Sequence, residues 1–182
     1  KERIGKANLV REHICLMSAG VSARDPRRFA ASLLGMIIGD YVGSRFFWEL
    51  VDKAVAESAT MQFGAMDGTG AFCSYIRCSS ENVTRVLDTV GAVFDDLVQN
   101  GVAKEELQTA KNKLLSALVI KNELPMGRLV DLGFNWIYLQ EYVTTEDEVN
   151  AIKAVTVDDV HSLIERFDPG NFTQFCLGPA RD

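Results

Sequence analysis

Alternation of apolar and polar residues predicts four strands in this chain, spread from its beginning to its end. Residues 9–17 alternate loosely and are predicted to form the first strand. Residues 57–66 and 70–79 are predicted as two further strands, and Asp67-Gly68 between them is typical of a tight hairpin turn. Residues 172–177 give a last strand, so the predicted sheet draws on segments that are far apart in the sequence.

Apolar residues recur at helical spacing between these strands, in segments that open with residues favouring a helix start. The predicted helix starts are Pro26, Ser44, Ser79 or Ser80, Lys104, Pro125 and two capping boxes, Thr145 with Glu148 and Thr156 with Asp159. Small residues in the first helix (Ala30, Ala31, Gly35) would permit close packing. The helix from Pro125 carries Met126, Leu129, Phe134, Ile137 and Tyr138. The order of elements predicts an α+β fold, with several helices packed on one face of a largely antiparallel sheet, as a single domain over residues 1–182.

Composition places the chain among globular proteins and narrows its expected partners. Hydrophobic residues make up 47%, charged residues 24%, and the formal net charge is −6. Nucleic acid is not expected as a partner, because phosphate backbones require clustered Lys and Arg. A membrane is not expected either, since the most apolar stretch, Phe29 to Gly39, is shorter than the roughly 20 residues that a crossing takes, and no secretory signal pattern opens the chain. The start at Lys1 predicts a piece of a longer chain.

The four cysteines, Cys15, Cys73, Cys78 and Cys176, fall in predicted strands and form no C-x-x-C pair. Disulfide frameworks belong to shorter chains that are richer in cysteine. The sequence therefore predicts buried, reduced thiols that act as small hydrophobic side chains. Reduced thiols favour a reducing compartment.

Taken alone, the titratable residues assemble no catalytic constellation. His13 is interpreted as a strand histidine with a satisfied hydrogen bond. His161 and Glu165 lie one helical turn apart, which leaves a surface metal site as an alternative, although acidic residues near a helix start usually serve the helix dipole. A Ser or Cys nucleophile would need a base, and the only two histidines lie near the two ends of the chain.

The most specific motif is the run from Gly43 to Leu50, Gly-Ser-Arg-Phe-Phe-Trp-Glu-Leu. It resembles the Ser-Arg-Leu-Phe-x-Glu-Leu-Arg stretch of the pitrilysin or insulinase-type (inverzincin) zinc metallopeptidases, the family of mitochondrial processing peptidase and of similar bacterial processing proteases. Other segments resemble that family in the same order and at suitable spacing. These are Asp25 to Ala30, Asp67 to Phe72 with Asn82-Val83, Gly101 to Leu114, Leu139 to Tyr142, Ile152 to Val160, and Leu177 to Pro179.

The resemblance implies that this chain is a half-domain. Members of the family have two homologous halves that close around an unfolded peptide; the first carries zinc on H-x-x-E-H, and the second shares the fold without the metal. This chain contains no H-x-x-E-H and resembles the second, C-terminal-type half. It is therefore expected to hold no cofactor and to be inactive alone, with zinc in the other half of a parent metalloendopeptidase or in a partner. The expected partners are a homologous zinc-bearing half-domain or subunit and a peptide substrate.

In many members the second half also supplies an Arg directly after Glu-Leu and a Tyr seven positions later, both reaching toward the substrate. Val51 and Ser58 occupy these places here, so they mark the expected substrate-binding positions without the usual donors. Two roles stay open on this resemblance. The chain is the non-metal half that forms part of the chamber wall and helps bind peptides, or it is a catalytically silent scaffold or partner subunit. A third variant is a zinc subunit whose partner supplies the missing pair.

The resemblance also implies how the chain assembles and where it resides. A surface that the sibling half covers would be exposed in the isolated chain, so homo-oligomers are expected to form through it. The expected location is the cytoplasm of a bacterium, with the mitochondrial matrix as the alternative.

Overall fold

A computed structural model describes residues 1–180 and shows a five-stranded sheet with six α-helices. The strands are β1 (Glu2–Lys6), β2 (Glu12–Gly20), β3 (Ser58–Ala65), β4 (Gly70–Cys78) and β5 (Thr173–Pro179). The helices are α1 (Arg28–Gly39), α2 (Val83–Asn100), α3 (Lys104–Glu123), α4 (Pro125–Leu139), α5 (Thr145–Ala154) and α6 (Val157–Arg166). A π-helical turn spans Phe47–Val51 and a 3-10 turn spans Ser80–Asn82. The predicted α+β class is confirmed.

The sheet is antiparallel except at one edge. Its strand order is β1-β5-β2-β4-β3, and only the pairing of β1 with β5 is parallel. The central pairing of β2 with β4 runs over nine residue pairs, from Glu12 opposite Cys78 to Gly20 opposite Gly70. Neither β1 nor its parallel pairing follows from the sequence pattern, because the segment Glu2–Lys6 is almost entirely polar and shows no alternation.

One face of the sheet forms the hydrophobic core with the helices. Ile14 and Leu16 of β2 and Phe72 and Ile76 of β4 are each at most 2% exposed. They pack in one cluster with apolar side chains of α1, α2 and α6: Leu33, Leu34, Ile38, Val86, Val90, Leu97, Val160 and Leu163. Full burial of each large apolar side chain contributes roughly 1.5–3 kcal/mol relative to exposure. The helices pack on one face of the sheet, as predicted, and burial of apolar side chains between the two layers contributes most to the stability of the fold.

Helix α1 contacts β3 through its small residues, as the sequence predicted for Gly35. A Cβ added at Gly35 would lie 3.3 Å from the backbone N of Phe63, and one at Gly39 would lie 2.0 Å from the backbone N of Met61. Side chains at these positions would push the helix away from the strand. The absence of side chains at Gly35 and Gly39 thus allows α1 to pack directly against the backbone of β3.

The structure confirms most of the turns and helix starts that the sequence predicted. The hairpin turn has Gly68 at φ 70°, in the left-handed region that glycine adopts freely. Pro125 is the first residue of α4, and Thr156 accepts the N–H of Asp159 in the predicted capping box of α6.

Four local predictions were wrong in position or extent. The first predicted strand begins at Glu12 rather than residue 9, and α1 begins at Arg28, because Pro26 lies in the turn before it. The capping box of α5 uses Thr144 and Asp147, one residue before the predicted pair. Burial was predicted for all four cysteines, but only Cys78 and Cys176 are buried, whereas Cys15 and Cys73 are partly exposed.

Candidate functional site on the open face of the sheet

The second face of the sheet is not covered by any helix of residues 1–180. Side chains that alternate with the core residues point outward from it, and several are large: Met17 is 50% exposed, Tyr75 47% and Phe175 37%. We call this surface the open face. Its outward residues are Ile4, His13, Cys15, Met17, Ser58, Thr60, Gln62, Cys73, Tyr75, Arg77 and Phe175.

The two expected binding positions lie in different environments. Val51 ends the π-helical turn, and its half-buried side chain packs against the hydrophobic core. The chain then reverses through Ala54, which adopts φ 54°, and reaches Ser58 at the start of β3. Ser58 alternates with the buried Ala59 and therefore points to the open face. Only the second of the two positions lies on that face.

Ser58 has a group of polar neighbours that the sequence alone did not reveal. Arg77 lies directly opposite Ser58 on one side and opposite His13 on the other, because β4 runs between β3 and β2. The Tyr75 hydroxyl, two residues away on the same face, shares a hydrogen bond with Nδ1 of His13. We call His13, Ser58, Tyr75 and Arg77 the Ser58 cluster. The alternation of the segment 70–79 was the available signal, since it places Tyr75 and Arg77 on one side.

The cluster is anchored by ionic contacts at its edge. Arg77 Nε lies 3.0 Å from a carboxylate oxygen of Glu57, which also pairs with Arg11. The hydrogen bond from Arg11 is the largest cause that holds the pKa of Glu57 below its ordinary value. Glu57 therefore stays ionised near neutral pH and holds Arg77 at this edge. The interpretation of His13 as a satisfied strand histidine agrees with its contact to Tyr75.

The motif residues Ser44 and Arg45 act in folding, away from the open face. Ser44 Oγ accepts the N–H of Phe47 at 3.1 Å, as predicted for a helix cap. Arg45 donates to both carboxylate oxygens of Glu106, at 2.8 and 2.9 Å, and to the carbonyl of Gly101 at 2.7 Å. This clamp fixes the junction between α2 and α3. Burial works to raise the pKa of Glu106, but hydrogen bonds from Arg45 and the Ala103 N–H outweigh it and lower the pKa.

A second uncovered surface lies on α4. We call it the α4 face, formed by Met126, Leu129, Val130, Phe134, Trp136 and Ile137, which are between 40% and 68% exposed. No residue of α4 is buried. The apolar periodicity that predicted this helix thus describes a face that residues 1–180 do not cover.

The residues do not fit a metal ion. Within residues 1–180, no three His, Cys, Asp or Glu side chains lie together as a metal would require. His161, the candidate beside Glu165, accepts the N–H of Val102 at its Nε2 atom, at 3.1 Å, and so supports the turn after α2. Among the same residues, no helix has the length and apolar character to cross a membrane.

Comparison with known proteins identifies the fold. An uncharacterised zinc protease of Bacillus subtilis is 20% identical over 92% of this chain and 41% of its own length, and one of Streptomyces coelicolor is 25% identical over 93% and 37%. The chain thus spans about two fifths of these relatives. The crystal structure of a peptidase M16 inactive domain from Pseudomonas fluorescens matches with a TM-score of 0.85 and 22% identity, over 99% of this chain and 43% of that one.

Two further structures show this fold as nearly a whole chain and as part of a longer chain. The structure described as the inactive peptidase domain of a zinc protease from Bordetella parapertussis has a TM-score of 0.82 at 18% identity, over 98% of this chain and 96% of that one. A chain of complex III2 from Candida albicans has a TM-score of 0.85 at 14% identity, over 97% and 45%. The family model described as the peptidase M16 inactive domain matches residues 3–114. This chain belongs to that family, the inactive half-domain of a family of zinc proteases.

Proposed function

We propose that this chain is the non-metal half of a zinc-dependent endopeptidase and forms part of the wall of a chamber that encloses and helps bind peptides. The observation that carries this proposal is the open face. The solvated face of an antiparallel sheet normally carries polar side chains, so a face that exposes Met17, Tyr75 and Phe175 beside polar donors favours a partner or a ligand. An unfolded peptide offers both apolar side chains and backbone carbonyls, so it matches this mixture.

The Ser58 cluster supplies what the absent Arg and Tyr would supply. The guanidinium of Arg77 and the hydroxyl of Tyr75 are hydrogen-bond donors on the open face, next to Ser58. Charge-assisted hydrogen bonds from Arg to a carbonyl oxygen are the stronger kind. We assign these two residues to binding of the peptide backbone, with no role in bond cleavage.

We place zinc in a homologous half-domain or subunit and assign the α4 face to contact with it. The relatives are more than twice as long as this chain, which leaves room in each for a second domain of similar size. Exposed apolar side chains such as Leu129, Trp136 and Ile137 favour an interface that is buried in the assembled protein. We propose a bacterial cytoplasmic location, with the mitochondrial matrix as the alternative.

The binding role is tested with the chain assembled with its zinc-bearing half and the zinc removed by a chelator. Fluorescence anisotropy then measures the affinity for a labelled, unstructured peptide, independently of turnover. Tyr75→Phe removes one donor and is expected to weaken binding about three- to tenfold. Tyr41→Phe is the matched control, because Tyr41 is 73% exposed but lies outside the open face.

A second pair of variants separates binding from stability. Arg77→Gln and Arg11→Gln each remove one partner of Glu57, but only Arg77 lies opposite Ser58. Weaker peptide binding in Arg77→Gln alone supports the proposed wall. Equal binding by Arg77→Gln, Arg11→Gln and the unaltered protein would overturn it.

The alternative is a catalytically silent scaffold or partner subunit. Val51 and Ser58 favour it, since neither offers the donors of an Arg and a Tyr, and the likeness to a chain of complex III2 agrees with it in fold. This alternative predicts a stable assembly that neither binds nor cleaves unstructured peptides. The same anisotropy experiment distinguishes the two roles.

A further inference from the structure

Two cysteine side chains meet on the open face. Cys15 of β2 and Cys73 of β4 have their Sγ atoms 3.6 Å apart, in van der Waals contact. They are diagonal neighbours: Cys15 lies opposite Tyr75, and Cys73 lies opposite Met17. Both are partly exposed, so a small molecule that reaches the open face reaches them.

The other two cysteines are in a different situation. Cys78 is 0% exposed and Cys176 3% exposed, both inside the hydrophobic core. Cys176 accepts a hydrogen bond from Gln174 at 3.2 Å. The chain therefore has one accessible pair of thiols in contact and two thiols that act as core side chains.

We propose that Cys15 and Cys73 form a reversible disulfide by exchange with a low-molecular-weight disulfide. The thiolate of Cys73 attacks one sulfur of the small disulfide, whose S–S bond breaks and releases the first small thiol. The thiolate of Cys15 then attacks the Cys73 sulfur of the mixed disulfide and releases the second small thiol. Two protein thiols are oxidised, one small disulfide is reduced to two thiols, and the two protons pass to the departing sulfurs.

The position of the pair makes the bond easy to reverse. Diagonal residues of antiparallel strands lie about 7–8 Å apart, beyond the usual Cα separations of disulfides, so closing the bond requires a small movement of β2 against β4 and leaves the bond strained. A strained disulfide is more readily reduced than a structural one. In the thiol form, burial is the largest cause that raises the pKa of Cys15 to about 11, and the hydrogen bond with Cys73 adds to it. The Cys15 thiol is therefore seldom ionised near neutral pH, which slows its exchange with a small disulfide.

The disulfide would change the middle of the open face. It would link β2 to β4 at Cys73, which lies between Met17 of β2 and Gln62 of β3. Two thiols would be replaced by one fixed, apolar bridge. In a reducing compartment the bridge would form only under oxidative conditions.

The test exposes this 182-residue chain to excess oxidised glutathione under native conditions. The expected result is an intact mass lower by two hydrogen atoms and a peptide map, run without reductant, that links Cys15 to Cys73. Excess reduced glutathione is expected to restore the original mass. Cys73→Ser and Cys15→Ser should each abolish the mass loss, while Cys78→Ser should retain it, with circular dichroism confirming that all three variants fold.

Each other outcome overturns the proposal. A link that involves Cys78 or Cys176, or a link between two chains, would assign the reactivity elsewhere. A glutathione adduct that persists on Cys73, or no reaction, would show that the two sulfurs do not reach each other. A Cys15–Cys73 link that resists reduced glutathione would be structural and would exclude the reversible role.

Discussion

Two regions of this molecule differ in how far their apolar side chains are buried and their buried polar atoms are hydrogen-bonded. In the sheet with α1, α2 and α6, large apolar side chains such as Leu33, Phe72 and Leu97 are at most 1% exposed. The second region consists of α4 and the neighbouring ends of α3 and α5. Helix α4 contains no buried residue. Within residues 1–180, the buried side-chain N and O atoms without a hydrogen-bond partner also lie in this second region, on Asn122, Arg128, Asp131 and Glu148.

The difference separates a packed part of the chain from a part whose apolar face residues 1–180 leave uncovered. A buried polar atom without a partner costs about 1–3 kcal/mol, and an uncovered apolar face gains nothing from the hydrophobic effect until something covers it. The family match, residues 3–114, lies in the packed region and ends before α4. We therefore expect changes in the first region to affect folding and changes in α4 to affect assembly.

The largest effect is expected from one substitution made in both regions. Phe72→Ala empties a site that is 1% exposed and is expected to lower the free energy of unfolding by about 3–5 kcal/mol. Phe134→Ala, at a side chain 53% exposed, is expected to change it by less than about 0.5 kcal/mol. Urea denaturation of the isolated chain measures both. Equal losses would show that α4 is packed in solution, against the comparison.

A smaller loss of stability is expected in the packed region, where the backbone of Gly178 lies against the carboxylate of Glu12. A Cβ at Gly178 would lie 1.9 Å from Oε2 of Glu12, and Glu12 is 0% exposed and held by Arg3 Nε at 2.7 Å. Gly178→Ala is therefore expected to cost about 1–3 kcal/mol. Gly64→Ala, where nothing lies within 4 Å of the new Cβ, is the control. Similar thermal unfolding of the two variants would disprove this close contact.

The clamp between α2 and α3 gives a pH-dependent effect. The pKa of Glu106 in the folded chain is below its ordinary value of 4.5, so the stability from its pairing is present above pH 4.5 and is lost as the pH falls through the folded pKa. Arg45→Met is expected to lower stability by about 2 kcal/mol near pH 7. The difference from the unaltered chain should shrink below pH 4.5. A gap that stays constant with pH would mean that packing of Arg45, rather than its charge, stabilises the junction.

The smallest effect on folding, with the clearest effect on assembly, is expected in α4. The isolated chain, lacking its zinc-bearing half, is expected to self-associate through the α4 face. Leu129→Gln combined with Ile137→Gln should shift sedimentation toward monomer at unchanged unfolding free energy. Val42→Gln with Val98→Gln, at residues 62% and 53% exposed elsewhere, serves as the control. A chain that is strictly monomeric over a wide concentration range would contradict the expectation.

Features decided by local chemistry could be predicted from the sequence. Asp67-Gly68 placed the hairpin and Ser44 capped its helix, because each depends on a few neighbouring residues. The family motif also identified the half-domain correctly. In the case of Arg45, the structure supplied a reason for the motif residue, since its partner Glu106 lies far along the chain.

Features decided by pairing and by missing partners could not be predicted. The Ser58 cluster depends on the register that puts Arg77 between Ser58 and His13, and no periodicity reports register. The contact between Cys15 and Cys73 depends on the same register. Helical periodicity located the apolar face of α4, but it could not tell whether that face is buried, since the pattern is the same in both cases.

The place of β5 in the sheet determines when the fold can be completed. β5 is the last strand described along the chain, yet it lies between β1 and β2, and its parallel partner β1 is the first. During synthesis, β2, β4 and β3 can pair while β1 waits and one edge of β2 stays unpaired, which is an edge prone to aggregation. Joining such distant segments is slow, because the entropy of closing the loop is lost before the contacts form. A chain that stops before Thr173 consequently leaves β1 without its partner as well.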